Sequence, residues 1–337
     1  MKSNILSLIF LLEFLVVFSI NSSSATDLTI YTYESFNSEW GPGPVVFKSF
    51  EEQCGCKIKV VTPGDSGKVL NRVILEKENP KADILLGLNN SELEKSFKYK
   101  LWVPYRSPLL GKVPKDLVLD KKHRVTPFDY GFISFVYDSQ KLKNPPRSLK
   151  DLLDQKYKRK IVIENPKTSS PGLSMLHWTI AVFGEKGYLE YWKKLQKNLL
   201  SITDGWSAAY GMFTKGEVPI VLSYVTSPAY HLEYEKTERY KAAFFEEGHY
   251  RQVEFAGILK GTEQIKRAQE FIDFMLSENF QNTIPLTNWM YPVIKYQPLP
   301  DSFRIAPEPK AIPELSPSFV YKKNSEWLKA WSRAMSE

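Results

Sequence analysis

Strand and helix patterns alternate regularly over residues 28–88, and this alternation constrains the fold more than any other feature. Residues 28–33, 57–62 and 82–88 are short apolar or alternating runs of strand length. Residues 45–53 and 68–77 carry apolar side chains at helical spacing. A β-α-β-α-β order predicts a parallel sheet covered by helices, so we expect an α/β fold.

The same alternation returns later in the chain. Residues 132–137, 160–164 and 218–224 are predicted as strands, and residues 173–183 and 263–276 as helices. No internal repeat and no low-complexity tract interrupts them. A second α/β unit is therefore expected after the first.

Two α/β units without a long linker predict two lobes that are joined by extended strands. The candidate crossings are residues 126–130 and residues 247–255. Each segment is predicted to be extended and lies between elements of the two units.

The N-terminal segment has the pattern of a secretory signal peptide. Lys2 supplies the positive charge, residues 5–20 form an apolar run, and residues 23–25 (Ser-Ser-Ala) offer a small-residue cleavage site. A membrane anchor is the alternative, but Glu13 and the modest length of the run favour a cleaved signal. We therefore expect residues 1–25 to be removed from an exported protein.

The charge balance bears on the kind of partner. The formal net charge is +7, but lysines and arginines are scattered among acids, as in residues 76–78 and 185–186. A mixed pattern of this kind is typical of a solvated surface rather than of a nucleic-acid interface. We expect no nucleic-acid partner.

Cys54 and Cys56 are the only cysteines of the chain. Two lone cysteines in an oxidising compartment usually pair, so a local structural disulfide is favoured. The alternatives are a metal site or a nucleophile. A metal site would need further Cys or His ligands nearby, and none follows in the sequence.

Six aromatic residues stand beside Gly, Ser, Pro or Asn, in positions typical of loops at the ends of strands. Such rings can hold a cation or stack on a flat heteroaromatic group, and in an α/β fold the carboxyl ends of strands border the ligand crevice. Packing within the core is the alternative for each ring. The six residues are Tyr33, Trp40, Trp206, Tyr224, Tyr230 and Trp289.

Two predicted helices begin with small polar residues that could serve a ligand. One start contains Asp65 and Ser66, and the other contains Ser169 and Ser170. A helix N-terminus offers free N–H groups to an anion, although ordinary capping explains the same residues. Asp65 itself suits a cation or an amine donor.

No catalytic or metal-binding motif accompanies these features. The four histidines have no metal-ligand spacing, and no zinc-protease, nucleophile-elbow or P-loop motif occurs. We expect a binding protein without a cofactor or metal, rather than an enzyme.

Longer motifs make the sequence specific enough to compare with a known family. The chain resembles the periplasmic thiamine-binding proteins, the substrate-binding components of thiamine ABC transporters, over nearly its whole mature length. The Cys-Gly-Cys segment also resembles the family. The other matching segments are residues 31–33 (YTY), 40–44 (WGPGP), 127–131 (PFDYG), 143–146 (KNPP), 205–207 (GWS), 222–224 (LSY), 226–231 (TSPAYH), 247–250 (EGHY) and 288–293 (NWMYPV).

The resemblance implies a two-lobed periplasmic binding protein fold of type II, similar to that of ferric-ion binding proteins. Mixed, mainly parallel sheets would be flanked by helices, with the ligand cleft between the lobes. After the signal peptide at 1–25, the N-terminal lobe would comprise residues 26–125 and about 251–295. The C-terminal lobe would comprise residues 126–250 and about 296–337.

The resemblance also implies a function and partners. The protein would act as a monomer in the periplasm, bind thiamine, thiamine monophosphate or thiamine pyrophosphate, and deliver it to a membrane permease with its ATPase. The alternatives are a thiaminase-like enzyme on the same fold, which needs a nucleophilic cysteine, and a carrier of iron or polyamines.

Site roles follow residue by residue from the same resemblance. Tyr33 and Trp289 would lie at the thiazolium ring, and Tyr224, Tyr230 and Asp65 at the aminopyrimidine. The remaining residues would wall the site or take the hydroxyethyl group and its phosphates: Trp206, Ser66, Ser169 and Ser170, with Trp40 as a further candidate. The family often has Asp-Gly where this chain has Asp65-Ser66.

Overall fold

The computed structural model describes residues 27–310 and 315–336. The predicted signal peptide, residues 1–25, lies outside the described residues. Within them, no helix is both long enough and apolar enough to cross a membrane.

Strands and α-helices alternate along the chain, with short 3-10 helices in several loops. The strands are β1 (Leu28–Tyr31), β2 (Ile58–Val61), β3 (Ile84–Asn89), β4 (Trp102–Val103), β5 (Thr126–Asp138), β6 (Ile161–Glu164), β7 (Leu199–Thr203), β8 (Ile220–Tyr224), β9 (Tyr240–Ala242), β10 (Arg251–Leu259) and β11 (Tyr291–Pro292). The α-helices are α1 (Gly43–Cys54), α2 (Ser66–Leu75), α3 (Leu93–Lys98), α4 (Ser170–Leu195), α5 (Trp206–Thr214), α6 (Ser227–Tyr234), α7 (Ile265–Met275), α8 (Glu278–Thr287) and α9 (Pro317–Ala334). The 3-10 helices are Pro108–Lys112, Asp151–Leu153, Gln155–Tyr157, Gln196–Asn198 and Asp301–Ile305.

Local sequence signals explain where several helices begin and end. Asp65 caps α2, and a proline occupies the first turn of α1, α4, α6 and α9. Helix α4 is interrupted at Gly184, whose φ of 71° is not helical. Tyr230 was expected in a loop but lies in α6, which has Pro228 in its first turn because the fixed φ of proline suits that position.

Two parallel blocks of strands are joined by two central antiparallel strands. The order is β2-β1-β3-β10-β5-β8-β6-β7, with β4 beside β10 and with β9 and β11 beside β5. Strand β1 is parallel to β2 and β3, and β6 is parallel to β7 and β8. All pairs made by β5 and β10 are antiparallel, so the sheet is mixed.

Strand β5 carries the chain from one hydrophobic core to the other. Its first part, as far as Phe132, pairs with β10, and from Ile133 onward it pairs with β8. Phe132 belongs to the first core and Ile133 to the second. The change of core therefore lies a few residues after the predicted crossing at 126–130.

The C-terminal segment also departs from the predicted lobe boundary. Phe303 and Ala306, expected in the C-terminal lobe, pack in the first core. Helix α9 packs in the second core through Val320, Trp327 and Trp331. The chain thus changes core after residue 306, later than the expected boundary near residue 296.

A disulfide bond joins Cys54 and Cys56 at the end of α1. Gly55 lies between them in the left-handed region, with φ 61°, and ends the helix as glycine commonly does. The bond therefore stabilises the turn between α1 and β2.

Gly87 in β3 allows the ring of Tyr33 to pack directly on the sheet. A Cβ atom at this position would lie 2.3 Å from Cδ1 and Cε1 of Tyr33, and φ of Gly87 is 98°. Only glycine combines this backbone angle with so close an approach.

We predict that Gly87→Ala lowers the free energy of unfolding by about 2–4 kcal/mol, from an unfavourable positive φ and overpacking. Gly111→Ala is the matched control, because a Cβ there meets nothing within 4 Å. Urea unfolding of both variants checks the prediction. Similar unfolding midpoints for the two variants would contradict it.

Candidate functional site

A cavity of about 410 Å³ opens between two halves of the molecule. The first half is built around the first hydrophobic core, and the second half around the second core and the smaller cluster that contains Tyr210. Its walls come from the ends of strands and the first turns of helices, where an α/β fold usually binds its ligand. Eight of the ten candidate site residues line it: Tyr33, Trp40, Asp65, Ser170, Trp206, Tyr224, Tyr230 and Trp289.

Ser66 and Ser169 are not part of the cavity lining, unlike Ser170. Both are buried behind helix starts, with 3% and 2% of their surfaces exposed. The reason is local: the carboxylate of Asp65 accepts the N–H of Ser66 at 2.7 Å and covers the start of α2. Of the three serines proposed from the sequence, the structure thus places Ser170 at the cavity surface and Ser66 and Ser169 beneath it.

Asp65 links helix starts from opposite sides of the cavity. Its Oδ1 caps α2, and its Oδ2 accepts the N–H of Trp206 at the start of α5 at 3.3 Å. Gly205, the residue before α5, has no side chain that could cap this helix, so Asp65 takes that place. Burial raises the pKa of Asp65, while the hydrogen bonds from the N–H groups of Ser66 and Trp206 oppose that effect.

One wall of the cavity is a stack of aromatic rings. The rings of Trp206 and Tyr210 lie 4.7 Å apart at an angle of 19°, and Trp40 lies 5.9 Å from Trp206. Trp206 Nε1 donates to Ser223 Oγ at 2.8 Å, and the Tyr210 hydroxyl is 2.9 Å from His231 Nε2. These bonds fix the ring planes.

Trp289 forms another wall and has an unusual backbone. It follows the end of α8 with φ of 56°, a left-handed angle that is normally taken by glycine. Its ring stacks on Phe303 at 6.4 Å and meets Tyr230 edge to face at 5.4 Å. A bulky residue in this conformation is costly, and such strain is concentrated at functional sites.

Polar groups form a connected network along the cavity floor. The Tyr33 hydroxyl donates to Glu254 Oε2 at 2.7 Å, and Gln252 Nε2 donates to the Tyr224 hydroxyl at 2.7 Å and to Glu254 Oε1 at 3.2 Å. Asn288 Nδ2 donates to Asp129 Oδ2 at 2.6 Å. The network holds the rings of Tyr33 and Tyr224 in place.

Sequence reasoning missed Glu254, Asn288 and Tyr210, all of which line the cavity. For Glu254 a signal existed, because it is the one charged residue in the apolar run 253–258. Asn288 stands directly beside Trp289 in a segment that was singled out. Tyr210 had no local signal, since it occupies an ordinary helical position in α5.

The arrangement suits a flat, positively charged small molecule. Aromatic faces attract a cation and stack on planar rings. The acidic groups Asp65, Glu235 and Glu254 also line the cavity, and among the described lining residues none is a lysine or arginine.

Proteins of similar sequence are solute-binding proteins, which agrees with a ligand cavity of this kind. A family model described as bacterial extracellular solute-binding protein matches residues 79–323. The thiamine-binding periplasmic protein of Salmonella typhimurium is 44% identical over 309 residues, or 92% of this chain and 93% of that protein.

Solved structures extend the comparison to the fold. A periplasmic thiamin binding protein, 43% identical, superposes with a TM-score of 0.88 over 94% of this chain and 98% of its own. The apo ferric ion-binding protein A of Pasteurella haemolytica, 18% identical, reaches 0.76 over 91% and 97% and shows the shared fold alone.

The chain therefore belongs to the family of bacterial extracellular solute-binding proteins. Within that family it groups with the thiamine-binding periplasmic proteins. The resemblance inferred from the sequence and the two-lobed, ferric-binding-type α/β fold are both confirmed.

We predict that Asp65→Ala lowers the free energy of unfolding by about 1–2 kcal/mol through loss of the cap. It should also increase the radius of gyration, because the hydrogen bond to Trp206 is lost. Urea unfolding and small-angle scattering without ligand check both effects.

Asp204→Ala is the matched control for Asp65→Ala. Asp204 contacts Lys68 at 3.4 Å, with 77% of its side chain exposed, so we expect a change of at most about 0.5 kcal/mol. Equal effects of the two substitutions would show that Asp65 does not link the two halves.

Proposed function

We propose that this protein binds thiamine in the periplasm and delivers it to an ABC transporter permease with its ATPase. The observation that carries the proposal is the cavity itself, in which aromatic rings and carboxylates surround the space for a planar cation. The 44% identity to a thiamine-binding periplasmic protein supports this ligand over other flat cations.

The cavity offers separate surfaces for the two rings of thiamine. We assign Tyr33 and Trp289 to the thiazolium ring, because both rings line the cavity and the Tyr33 hydroxyl donates to Glu254. Tyr224, Tyr230 and Asp65 are assigned to the aminopyrimidine, whose amino group suits a carboxylate acceptor. Trp206 and Trp40 then close the site from the opposite wall.

The start of α4 is the proposed place for the hydroxyethyl group or its phosphates. Ser170 lines the cavity there, and a helix N-terminus favours an anion. The ligands proposed are thiamine, thiamine monophosphate and thiamine pyrophosphate. Ser66 and Ser169 would act behind this surface, by supporting the helix starts rather than by direct contact.

The first hydrophobic core is one proposed lobe, and the second core with a smaller cluster around Tyr210 and Phe213 is the other, with the cavity between them. Ligand groups come from both, since Tyr33 and Asp65 belong to the first half and Trp206 to the second. We propose that the bound ligand favours the closed arrangement, in which Asp65 contacts Trp206, and that the permease recognises this face.

The proposal includes three further points: export by the predicted signal at residues 1–25, action as a monomer, and absence of catalysis. The relatives are named as periplasmic binding proteins, which supports the first and last points. A thiaminase-like reaction would need a reactive thiolate at the cavity, whereas Cys54 and Cys56 are paired and do not line it. No cofactor and no nucleic acid is required.

The iron or polyamine alternatives are less well supported by the site. Among residues 27–310 and 315–336, no group of three or more His, Cys, Asp or Glu side chains is arranged to hold a metal ion. The aromatic walls suit a flat ring system better than a flexible polyamine chain.

Titration of tryptophan fluorescence with thiamine, its two phosphate esters, spermidine and ferric citrate tests the function. Trp289→Ala should weaken thiamine binding by about 1–2 kcal/mol, because the stacked ring is lost, and Trp289→Phe should recover much of that affinity. Tyr99→Ala, outside the cavity, is the control. Unchanged affinity in Trp289→Ala would remove this ring from the proposed site.

A further inference from the structure

Five carboxyl groups lie close together, two of them in the cavity lining and three buried behind it. Glu92, Asp129, Glu164 and Glu254 are at most 7% exposed, and Asp65 joins them at the cavity surface. Neither oxygen of Glu164 and only one oxygen of Asp129 has a hydrogen-bond partner. Buried carboxyls of this kind are stable only when they are protonated or when a cation approaches them.

Glu254 is the member of the cluster that faces the cavity from the central strand β10. It lines the cavity, yet only 5% of its surface is exposed. Its two oxygens accept hydrogen bonds from neutral groups, the Tyr33 hydroxyl and the Gln252 amide. Since Tyr33 also lines the cavity, the carboxyl lies at the hydroxyl end of a ring that borders the ligand space.

The charged groups around Glu254 are themselves acidic. Asp65 at the start of α2 and Glu92 before α3 both raise its pKa, after burial as the main cause. Asp129 on β5 is held still more strongly in its protonated form by burial and by Glu254. Lys95 acts on Glu92, but it is not among the charges that act on Glu254.

Neutral groups also contact this network from other elements. Tyr224 at the end of β8 shares the Gln252 amide with it, and Asn288 after α8 contacts both Asp129 and the Tyr33 hydroxyl. Burial, together with the nearby acids, raises the pKa of Tyr224. Glu164 on β6 is one of the acids that raise the pKa of Tyr224.

We infer that Glu254 is the counter-ion that selects a cationic ring in this cavity, and that its proton is released to solvent when the ligand binds. This inference rests on the proposed function and adds a specificity-determining residue and a proton linkage to it. Aromatic faces alone favour any flat ring, whereas an ionised carboxylate at the Tyr33 hydroxyl, in the cavity lining, favours a ring that carries a positive charge.

The exchange of a proton for a cation determines in which direction the ligand affinity changes with pH. Burial raises the pKa of Glu254 to about 8, so the carboxyl is protonated below that pH before a ligand binds. A bound cation favours the carboxylate and lowers this pKa. Below about pH 8 the ligand must therefore displace the proton, and its affinity should fall as the pH decreases.

We predict that thiamine affinity falls about tenfold per unit of pH below about pH 8, until the ligand binds the protonated form. Glu254→Gln, which keeps the shape and one of the two accepting oxygens but not the charge, should bind weakly with little dependence on pH. Affinity measured by calorimetry from about pH 6 to pH 9 checks this. The unmodified protein and Glu254→Gln bind the same ligand. Any protonation of thiamine itself therefore affects both affinities equally and does not alter the comparison.

Two matched substitutions separate the local effect from a general loss of negative charge. Glu92→Gln removes a buried neighbour that raises the pKa of Glu254, so the pH dependence should move to lower pH. Glu326→Gln, with 67% of the native side chain exposed on α9, should leave the profile unchanged. An equal shift in both variants would contradict the role of Glu254.

Proton release can also be measured on the unmodified protein. Calorimetry in two buffers with different heats of ionisation should give up to one proton released per thiamine below about pH 8, and fewer above it. Binding with a flat pH profile and no proton release would overturn the inference and leave the proposed function standing. Absence of thiamine binding at every pH would overturn both.

Discussion

The carboxylate of Asp65 is the interaction on which the arrangement of the site depends. It caps α2 from within the first half of the molecule and accepts the N–H of Trp206 from the second half. Two helix N-termini, each with a partial positive charge, thus converge on one negative group. The same contact sets the position of Trp206, whose ring stacks on Tyr210 and forms the wall of the cavity. A single short side chain therefore couples helix capping, the contact between the halves and the shape of the site.

Aromatic rings and carboxyls have complementary tasks around the cavity. The rings of Tyr33, Tyr224, Tyr230 and Trp289 exclude water and offer flat surfaces, but each contributes only a weak electrostatic preference for a cation. Glu254 supplies a full charge, yet in a water-excluded site that charge is costly without a partner. Because Tyr33 donates to Glu254, the two kinds of group form one unit. Recognition of a flat cation follows from their combination, and either kind alone would be less selective.

Local signals predicted the first half of the fold well, and they failed where distant contacts decide. Alternating apolar residues and caps located β1, α1, β2, α2 and β3, because each element carries its own pattern. The antiparallel pairing of β5 with β10 joins residues more than a hundred positions apart, and no local pattern encodes it. At the site, loop aromatics were recognisable by their Gly, Ser, Pro and Asn neighbours. The burial of Ser66 and Ser169 was not, since it depends on where the carboxylate of Asp65 points.

Two features of the site reduce the stability of the fold: the backbone angle of Trp289 and the buried carboxyl of Glu254. A cationic ligand of the proposed kind would offset the second. Trp289 has a backbone angle that glycine would take at no cost, and Glu254 lies where an apolar residue would pack well. Because the pKa of Glu254 is raised by folding, the folded state holds its proton more tightly than the unfolded chain. This contribution favours folding in acid and is lost as the pH rises from the ordinary value of 4.5 to about 8. Above that range the fold contains a buried carboxylate without a counter-ion, and a bound cation restores the balance. In the binding mode proposed above, the same carboxyl that weakens the isolated protein is the source of its selectivity.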